Sequence, residues 1–441
     1  MDHRWQAGEK DAGQVGPKFP GWALGTILGI VVAALCFSTA TRGQQRAGEM
    51  PAAEGAAGAT AALASAYAER GFVGDNACQA CHPKEFESYK TTRHHLDSAA
   101  PSAETIHGHF DPNRNTMSSL DPDVSFRMTV KGGAFYETSF EGAPGHQKAH
   151  TEKVDVVIGS GRKGQTFLYW RGDELFELPV SYWTELDRWV NSPGYVDGTA
   201  NFDRTITPRC LECHATFFQE LGGSKTGFHY DKSHFVLGIS CERCHGAGAE
   251  HVRLHLKQGG GTKGPGGTAA TAKTTSMVPV GFERDRQVDV CAQCHGGIGK
   301  ELTPAFSFKP GEELAQHISL EADPRARVDV HGNQVALLAK SRCFQSSPNM
   351  TCSTCHNLHE PEREAASYSG KCLTCHQASA CPTFSKMPPP AVTNCVDCHM
   401  PVQESNALRV DLEDNELPVR VRNHWIRVYP SQDSPHQNSE R

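Results

Sequence analysis

The pattern of apolar and polar positions separates an N-terminal apolar segment from a long body of short elements. Residues 1–18 are polar, and residues 19–40 are apolar with few exceptions. The apolar centre at 22–37 is slightly longer than a signal-peptide core and shorter than a full membrane span of about 20 residues. We therefore predict a cytoplasmic N-terminus at 1–18 and a signal or membrane anchor at 19–40, which is either retained or cleaved after Ala40.

The next segment, 41–75, is rich in Ala and Gly and has no apolar period, which predicts a flexible linker. The remaining pattern predicts one domain at 76–425 and a C-terminal tail at 426–441. Whether the N-terminal segment is retained or cleaved, we expect the domain to lie on the periplasmic side of the cytoplasmic membrane.

Alternating apolar and polar positions predict β-strands between about 120 and 185. The strand segments are 124–130, 134–140, 154–158, 165–170 and 174–178. Gly-containing turns at 131–133 and 171–173 join two pairs of them as hairpins. We predict a small antiparallel sheet with a structural role, or alternatively a docking face or one wall of a cleft. Trp183, Trp189 and Tyr195 are expected to pack against this sheet or against porphyrin rather than to bind a ligand.

Elsewhere the elements are short. Phe86 and Tyr89 have helical spacing, 314–317 and 335–340 fit short helices, and 420–428 fits a last strand that returns across the domain. The sequence therefore predicts a mainly α and irregular fold with one β insert.

Candidate chemistry comes from a motif, Cys-x-x-Cys-His, that occurs seven times. The copies are Cys78/Cys81/His82, Cys210/Cys213/His214, Cys241/Cys244/His245, Cys291/Cys294/His295, Cys352/Cys355/His356, Cys372/Cys375/His376 and Cys395/Cys398/His399. This motif is the signature of covalent c-type haem, in which two thioethers hold the porphyrin and the His binds iron. Zinc sites, redox dithiols and disulfides also use Cys-x-x-Cys, but none requires a His after every second Cys. We therefore predict seven haem c groups, and we expect the first two motifs to flank the β insert.

Composition and charge fit this prediction. The hydrophobic fraction of 38% is low for a chain of 441 residues, so porphyrins are expected to supply much of the core. The formal net charge of −7 argues against a nucleic-acid partner, because phosphate binding needs a basic surface. Redox proteins, as electron donor and acceptor, are the expected partners.

Each haem iron also has a second axial position. The predicted distal ligands are His94 (or His95), His234, His251, His317, His331, His359 and His424. His251 lies six residues after His245, and His359 three after His356, too close to reach the far face of the same haem. Both are therefore expected to bind the iron of a neighbouring haem.

Other candidate residues lie outside this scheme. Cys343 and Cys381 belong to no motif and are expected either to form a disulfide or to be buried thiols. Four histidines near the β insert are interpreted as exposed loop residues, with a pocket lining as the alternative: His107, His109, His146 and His150.

The motif segments at 241–251, 352–359 and 395–401 resemble those of exported multihaem cytochromes related to the tetrahaem cytochrome of ammonia oxidisers. That superfamily also includes hydroxylamine oxidoreductase, pentahaem nitrite reductase and octahaem tetrathionate reductase. The resemblance implies parallel and perpendicular haem pairs with mostly bis-His iron. This chain departs from the pattern in having seven motifs and no Cys-x-x-Cys-Lys, and the resemblance does not account for the β insert.

Three functions are considered. The first is electron transfer along mostly bis-His haems, between a quinol-linked or soluble donor and an acceptor. The alternative is an oxidoreductase that acts on a small nitrogen or sulfur compound at one five-coordinate haem. Sensing or scaffolding has little support, because no signalling segment is visible.

Overall fold

The computed structural model describes residues 70–223, 227–257, 282–320, 328–361, 363–382, 386, 394–412 and 415–429. The predicted cytoplasmic segment, the signal or anchor at 19–40, most of the linker and the tail from 430 lie outside these residues. Within the described ranges, every helix is too short or too polar to span a bilayer.

Strands are the commonest elements in this part of the chain. They are β1 (Ser98–Ala99), β2 (Thr116–Ser118), β3 (Val124–Lys131), β4 (Ala134–Glu141), β5 (Lys148–Lys153), β6 (Val156–Ile158), β7 (Gly164–Arg171), β8 (Glu174–Glu177), β9 (Val180–Trp183), β10 (Arg188–Asn191), β11 (Ala215–Gly223), β12 (Phe228–Leu237), β13 (Lys300–Glu301), β14 (Ile318–Ser319), β15 (Val402–Leu412) and β16 (Asn415–Arg422).

The helices are short. They are α1 (Asp75–Gln79), α2 (Pro83–Tyr89), α3 (Pro208–His214), α4 (Cys241–His245), α5 (Ala249–Lys257), α6 (Arg284–His295), α7 (Gln334–Ala339), α8 (Arg342–Ser346), α9 (Ser369–Cys372) and α10 (Cys395–His399). Single 3₁₀ turns occur at Leu314–Gln316, Cys352–Thr354, Ala365–Tyr368 and Ala378–Ala380.

Two antiparallel sheets form the β-rich part. One has four strands in the order β2-β3-β4-β5; the other has eight, with β1-β6-β7-β8-β12-β11 as its main path and β9 and β10 attached through β7. The β3–β4 turn uses Gly132 and Gly133 at φ 59° and 77°, and the β7–β8 turn uses Gly172 at φ 63°. Glycine adopts these left-handed angles without steric cost, which fixes the two hairpins that the sequence predicts.

A conventional hydrophobic core joins the two sheets. Phe126, Met128, Tyr169 and Tyr182 are nearly inaccessible to solvent within one cluster of apolar side chains. Trp189 packs edge-on against Tyr182, with ring centroids 5.2 Å apart, and is also buried. Trp183 and Tyr195 are buried too, so the packing role predicted for these aromatics agrees with their positions.

A second apolar cluster connects the sheet to the second motif. Leu168 of β7 and Phe218 of β11 pack with Leu211, which lies between the two cysteines of that motif on α3. The β-sheet thus fixes one motif helix directly.

The expectation of a mainly α and irregular fold is wrong, and the sheet is not a small insert between the first two motifs. Strands β11 and β12 follow the second motif, and β1 precedes the predicted insert, yet all three belong to the eight-stranded sheet. The alternating pattern is weak at 215–237 because β12 is half-buried along most of its length. The β-rich part also has an apolar core made of its own side chains.

Replacing Phe126 by Ala should weaken the β-rich part. Phe126 is 1% exposed, and truncation of a buried Phe costs about 3–5 kcal/mol of unfolding free energy. The midpoint of denaturant unfolding, followed by circular dichroism, should fall clearly. Val130→Ala, on the same strand but 49% exposed, is the matched control and should change the free energy by about 0.5 kcal/mol or less. Equal midpoints for the two variants would contradict the described core.

Candidate haem-binding site

All seven motifs line one continuous cavity. Its volume is about 4270 Å³, and its wall includes every motif Cys and His. Shared among seven motifs, the volume is about 610 Å³ each, within the range of about 300–1,000 Å³ that a small-molecule site occupies. The space therefore fits one large cofactor for each motif.

Local structure explains how each motif faces this space. The His82 N–H donates to the Cys78 carbonyl at 2.8 Å, and His356 and His376 make the same bond to the first Cys of their motifs at 3.0 and 2.9 Å. Side chains at i, i+3 and i+4 share one face of such a turn. The spacing therefore turns both thiols and the imidazole toward the cavity.

Motifs that are distant in sequence meet in space. The thiols of Cys78 and Cys241 hydrogen-bond, which joins the first and third motifs. Equivalent contacts join the second to the fourth motif and the fourth to the fifth, through Cys213/Cys294 and Cys291/Cys352. The spatial order of the motifs therefore differs from their order along the chain.

Four motif imidazoles face a second imidazole across the cavity. The ring-centroid distances are 6.4 Å for His82/His251, 5.7 Å for His245/His359, 6.1 Å for His295/His94 and 6.3 Å for His356/His424. A metal–imidazole bond is about 2 Å long and the ring centre lies about 1 Å further out, so two rings on opposite sides of one metal have centres about 6 Å apart. The four pairs have the spacing of two axial ligands.

Hydrogen bonds orient two motif imidazoles and one distal imidazole. Nδ1 of His214 lies 2.9 Å from the Asp97 carboxylate, Nδ1 of His399 lies 3.0 Å from the Arg427 carbonyl, and Nδ1 of His424 lies 3.1 Å from the Arg422 carbonyl. Such partners fix the ring and leave Nε2 for a metal.

Burial also favours the metal-binding form of one motif imidazole and two distal imidazoles. Desolvation lowers the pKa of His424 to about 4 and lowers the pKa values of His331 and His295. Neutral imidazole is the form that binds a metal. His214 differs: burial alone would lower its pKa, but the hydrogen bond and charge of Asp97 produce a net rise.

Five of the predicted distal residues line the cavity: His94, His251, His331, His359 and His424. Of the two neighbouring candidates after α2, His94 lines the cavity, whereas Nδ1 of His95 lies 3.6 Å from the Asp75 carboxylate. Both residues follow α2 in a turn and do not continue that helix.

His234 and His317 lie away from the cavity, so the geometry gives their predicted ligand role no support. Nδ1 of His234 lies 2.6 Å from Asp231, and His317 lies between Glu312, at 3.1 Å, and Thr303, at 3.0 Å. Both rings make local hydrogen bonds to neighbouring side chains.

One cavity histidine was not predicted. His255 follows His251 by one turn of α5, and the two ring centroids are 4.5 Å apart. The i, i+4 spacing of the two histidines was the available sequence signal.

The remaining candidates are placed as follows. Cys343 and Cys381 line the cavity and are not joined by a disulfide bond. His109 lies 2.8 Å from Asp187 and His150 lies 2.9 Å from Glu152, both outside the cavity wall.

The residues between the motif cysteines were also missed as functional positions. Glu212 is 3% exposed and lies 2.7 Å from Arg209 and 3.7 Å from Arg243, so it forms a buried ionic cluster beside three motifs. Glu242 is 1% exposed and accepts hydrogen bonds from the N–H groups of Val73 and Gly74, each at 2.9 Å. Residues 70–74, within the predicted linker, therefore contact the third motif.

Comparisons with known proteins find similar cytochromes. The family model described as cytochrome c554 and c-prime matches residues 77–125 and 189–246. The C-type polyheme cytochrome OmcC of Geobacter sulfurreducens is 24% identical over 170 residues, 38% of this chain and 20% of OmcC. The dissimilatory sulfite reductase MccA of Wolinella succinogenes is 22% identical over 406 residues, 76% of this chain and 51% of MccA.

A solved structure has a similar fold. The outer cell wall cytochrome OcwA matches with a TM-score of 0.50 and 16% identity over 82% of this chain and 80% of OcwA. This chain spans about half the length of MccA and a fifth of OmcC. With the motifs and the cavity, these similarities define the class: the chain is a multihaem c-type cytochrome whose cofactor is haem c.

Proposed function

We propose that this chain carries electrons along seven covalently bound haems outside the cytoplasmic membrane. The observation that carries the proposal is the set of four imidazole pairs with centroids 5.7–6.4 Å apart. Iron with imidazole on both faces has no free position for a substrate and exchanges electrons only. The residues fit haem, which supplies the one-electron chemistry when bound.

The pairs support specific ligand assignments. His251 is assigned to the haem at Cys78/Cys81 and His359 to the haem at Cys241/Cys244, so each follows one motif and binds at another. His94 is assigned to the fourth motif and His424 to the fifth. His331 lines the cavity, and burial, with a smaller contribution from the charge of His214, lowers its pKa; it is assigned to the second motif.

Contacts between motif cysteines support a continuous path. The first, second, third, fourth and fifth motifs are linked through thiol contacts and through the proximity of Cys244 to Cys291. Burial raises the pKa of Cys372 to about 11, and the charges of Cys395 and Cys355 add to this rise, which supports placing the sixth motif near the seventh and the fifth. Electrons entering at either end can therefore reach every haem.

A second candidate function is reduction or oxidation of a small nitrogen or sulfur compound at one five-coordinate haem. It is favoured by the similarity to a protein named as a sulfite reductase. In addition, within the described residues no ring contact pairs His376 or His399 with another imidazole. An open iron face at either motif would admit a small ligand.

Seven haems should be attached in the mature protein. Each motif supplies two thiols and one imidazole on the cavity wall, so the intact mass should exceed that of the polypeptide by seven haems. Replacing both cysteines of one motif by Ala should remove one haem mass. A fully matured protein with six or fewer would contradict the assignment of every motif.

Replacing His251 by Ala should convert one haem to the high-spin state without detaching it, because both thioethers and His82 remain. Electron paramagnetic resonance of the oxidised protein should gain one high-spin signal. The matched control is His317→Ala, which lies away from the cavity and should leave the spectrum unchanged. A high-spin signal in the control, or none in His251→Ala, would argue against the assignment.

The two candidate functions predict different reactions with small oxidants and reductants. The reduced protein should pass its electrons to a soluble one-electron acceptor such as ferricyanide, and it should not be reoxidised by sulfite, nitrite or tetrathionate. Hydroxylamine should neither oxidise the reduced protein nor reduce the oxidised one. Stopped-flow absorbance at the haem bands measures both behaviours. Repeated, cyanide-sensitive turnover with one of these compounds would establish the second candidate function instead.

A further inference from the structure

The long strand β15 contains a bulge that faces a distant loop. Residues 405–408 leave the regular pairing between β15 and β16. The buried Ser405 hydroxyl accepts the N–H groups of Ala407 and Leu408 at 3.1 and 2.9 Å, which folds the bulge around this side chain. A bulge of this kind frees backbone N–H groups from the sheet and directs them elsewhere.

Asp329 is the side chain that the bulge holds. Its Oδ1 accepts the Ser405 hydroxyl at 2.7 Å, and its Oδ2 accepts the Asn406 N–H at 2.6 Å. Oδ1 also accepts the N–H of His331, two residues further along the chain, at 2.8 Å, which is an Asx turn. One carboxylate therefore fixes a turn in residues 329–334, the Asp329 loop, and joins it to a strand 76 residues away.

The Asp329 loop packs against the fourth motif. Oε1 of Gln334 lies 3.3 Å from Nδ1 of His295, the imidazole of that motif. Gly297 approaches Asn333 so closely that a Cβ atom at position 297 would lie 2.6 Å from the Asn333 Oδ1. In the same loop, the His331 side chain lines the haem cavity.

The second motif lies next to the fourth. Sγ of Cys213 is 3.8 Å from the Gln293 carbonyl oxygen, and the Arg209 guanidinium donates to the same carbonyl at 2.7 Å. The loop that carries His331 is thus packed on a motif that itself contacts the second. This arrangement supports the assignment of His331 to the second haem.

The hairpin that holds Asp329 is anchored in the β-rich part. Val410 of β15 and Val419 of β16 are buried in one apolar cluster with Val190 of β10. Nδ2 of Asn191 donates to the Asp411 carbonyl at 3.0 Å. The bulge is therefore a fixed point, because its strand is packed on folded sheet.

We propose that Asp329 is a positioning residue that holds the iron ligand His331 through the β15 bulge. The carboxylate fixes the backbone of His331, and the hairpin fixes the carboxylate. The β-rich part thereby sets the position of an axial ligand on the far side of the motif region. The inference rests on the proposed function, since it requires a haem at the second motif with His331 as its distal ligand.

The expected effect follows from conformational entropy. Without the carboxylate, the Asp329 loop has more conformations, and His331 must be ordered each time it binds iron. The equilibrium between bound and dissociated imidazole then shifts toward dissociation. Loss of a hydrogen bond to a charged group changes such an equilibrium by roughly ten- to a hundredfold.

The test is the rate at which cyanide binds the oxidised protein, followed by absorbance at the haem bands. Cyanide needs an open iron face, so its rate at this haem reports how often His331 dissociates. Asp329→Ala should bind cyanide at one haem about ten- to a hundredfold faster than the wild type. Asp329→Asn keeps one acceptor oxygen and should fall between the two. Haems with an open face contribute equally to all variants.

Two further variants separate positioning from general destabilisation. His331→Ala should bind cyanide fastest and show one high-spin haem by electron paramagnetic resonance. The double variant Asp329→Ala/His331→Ala should match His331→Ala, because the carboxylate acts only through that ligand. A merely structural role would make the two changes additive.

Asp231→Ala is the matched control. Oδ1 of Asp231 accepts the Ser233 N–H, two residues on, at 2.8 Å and the Ser233 hydroxyl at 2.6 Å. The geometry resembles that of Asp329, but the neighbouring histidine is His234, which lies away from the cavity. This variant should bind cyanide at the wild-type rate.

Equal cyanide rates for Asp329→Ala and the wild type, or a double variant faster than His331→Ala, would overturn the proposal. A wild-type rate in His331→Ala would instead show that the ligand assignment is wrong, and the proposal would fail with it. The intact mass of every variant counts its haems. Loss of one haem from Asp329→Ala but not from His331→Ala would make Asp329 a folding residue and would also overturn the proposal.

Discussion

The rest of the structure depends on one constraint, a single helical turn that directs two thiols and an imidazole to the same side. This turn leaves the two intervening residues on the opposite side, against the protein. In three motifs both are buried: Leu211 and Glu212, Glu242 and Arg243, Ala292 and Gln293. Leu211 contributes apolar packing, and Glu212 and Arg243 belong to a buried ionic cluster. Glu242 accepts a hydrogen bond from the Val73 N–H, which attaches residues 70–74. The motif therefore places the cofactor and joins the body of the protein at the same time.

The chemistry was easier to predict from the sequence than the fold. Five strands and two Gly turns were evident because the β-rich segment has a clear alternating pattern. Strands β11 and β12 were not evident in the sequence, because their two faces do not alternate regularly between buried and exposed positions and β11 directly follows a motif. Distal histidines were harder still, since the pairing of His251 with His82 depends on tertiary contacts. His317 and His94 are both candidate ligands in the sequence, and their hydrogen bonds and ring contacts distinguish them.

The β-rich part has an apolar core of its own side chains and contacts the motif region through α3. One cluster of apolar side chains contains Phe126 and Tyr169, and a second cluster includes Leu211 on α3. The buried Arg209–Glu212 pair adds a directional contact at 2.7 Å, because Arg209 also donates to the Gln293 carbonyl at 2.7 Å. Breaking such a pair leaves an unpaired buried charge, which is strongly destabilising. The second and fourth motifs are thus held in one relative position.

The contact between the first and third motifs has a consequence for biogenesis. Asp75 accepts the Cys241 N–H at 3.0 Å across 166 residues, and Cys78 meets Cys241 beside it. During synthesis the first motif emerges long before its partner, and long-range contacts form slowly because loop closure must come first. Until the segment around Cys241 closes onto it, the first motif lacks this contact. The final position of the first motif is therefore set only when a segment 166 residues further along the chain has folded.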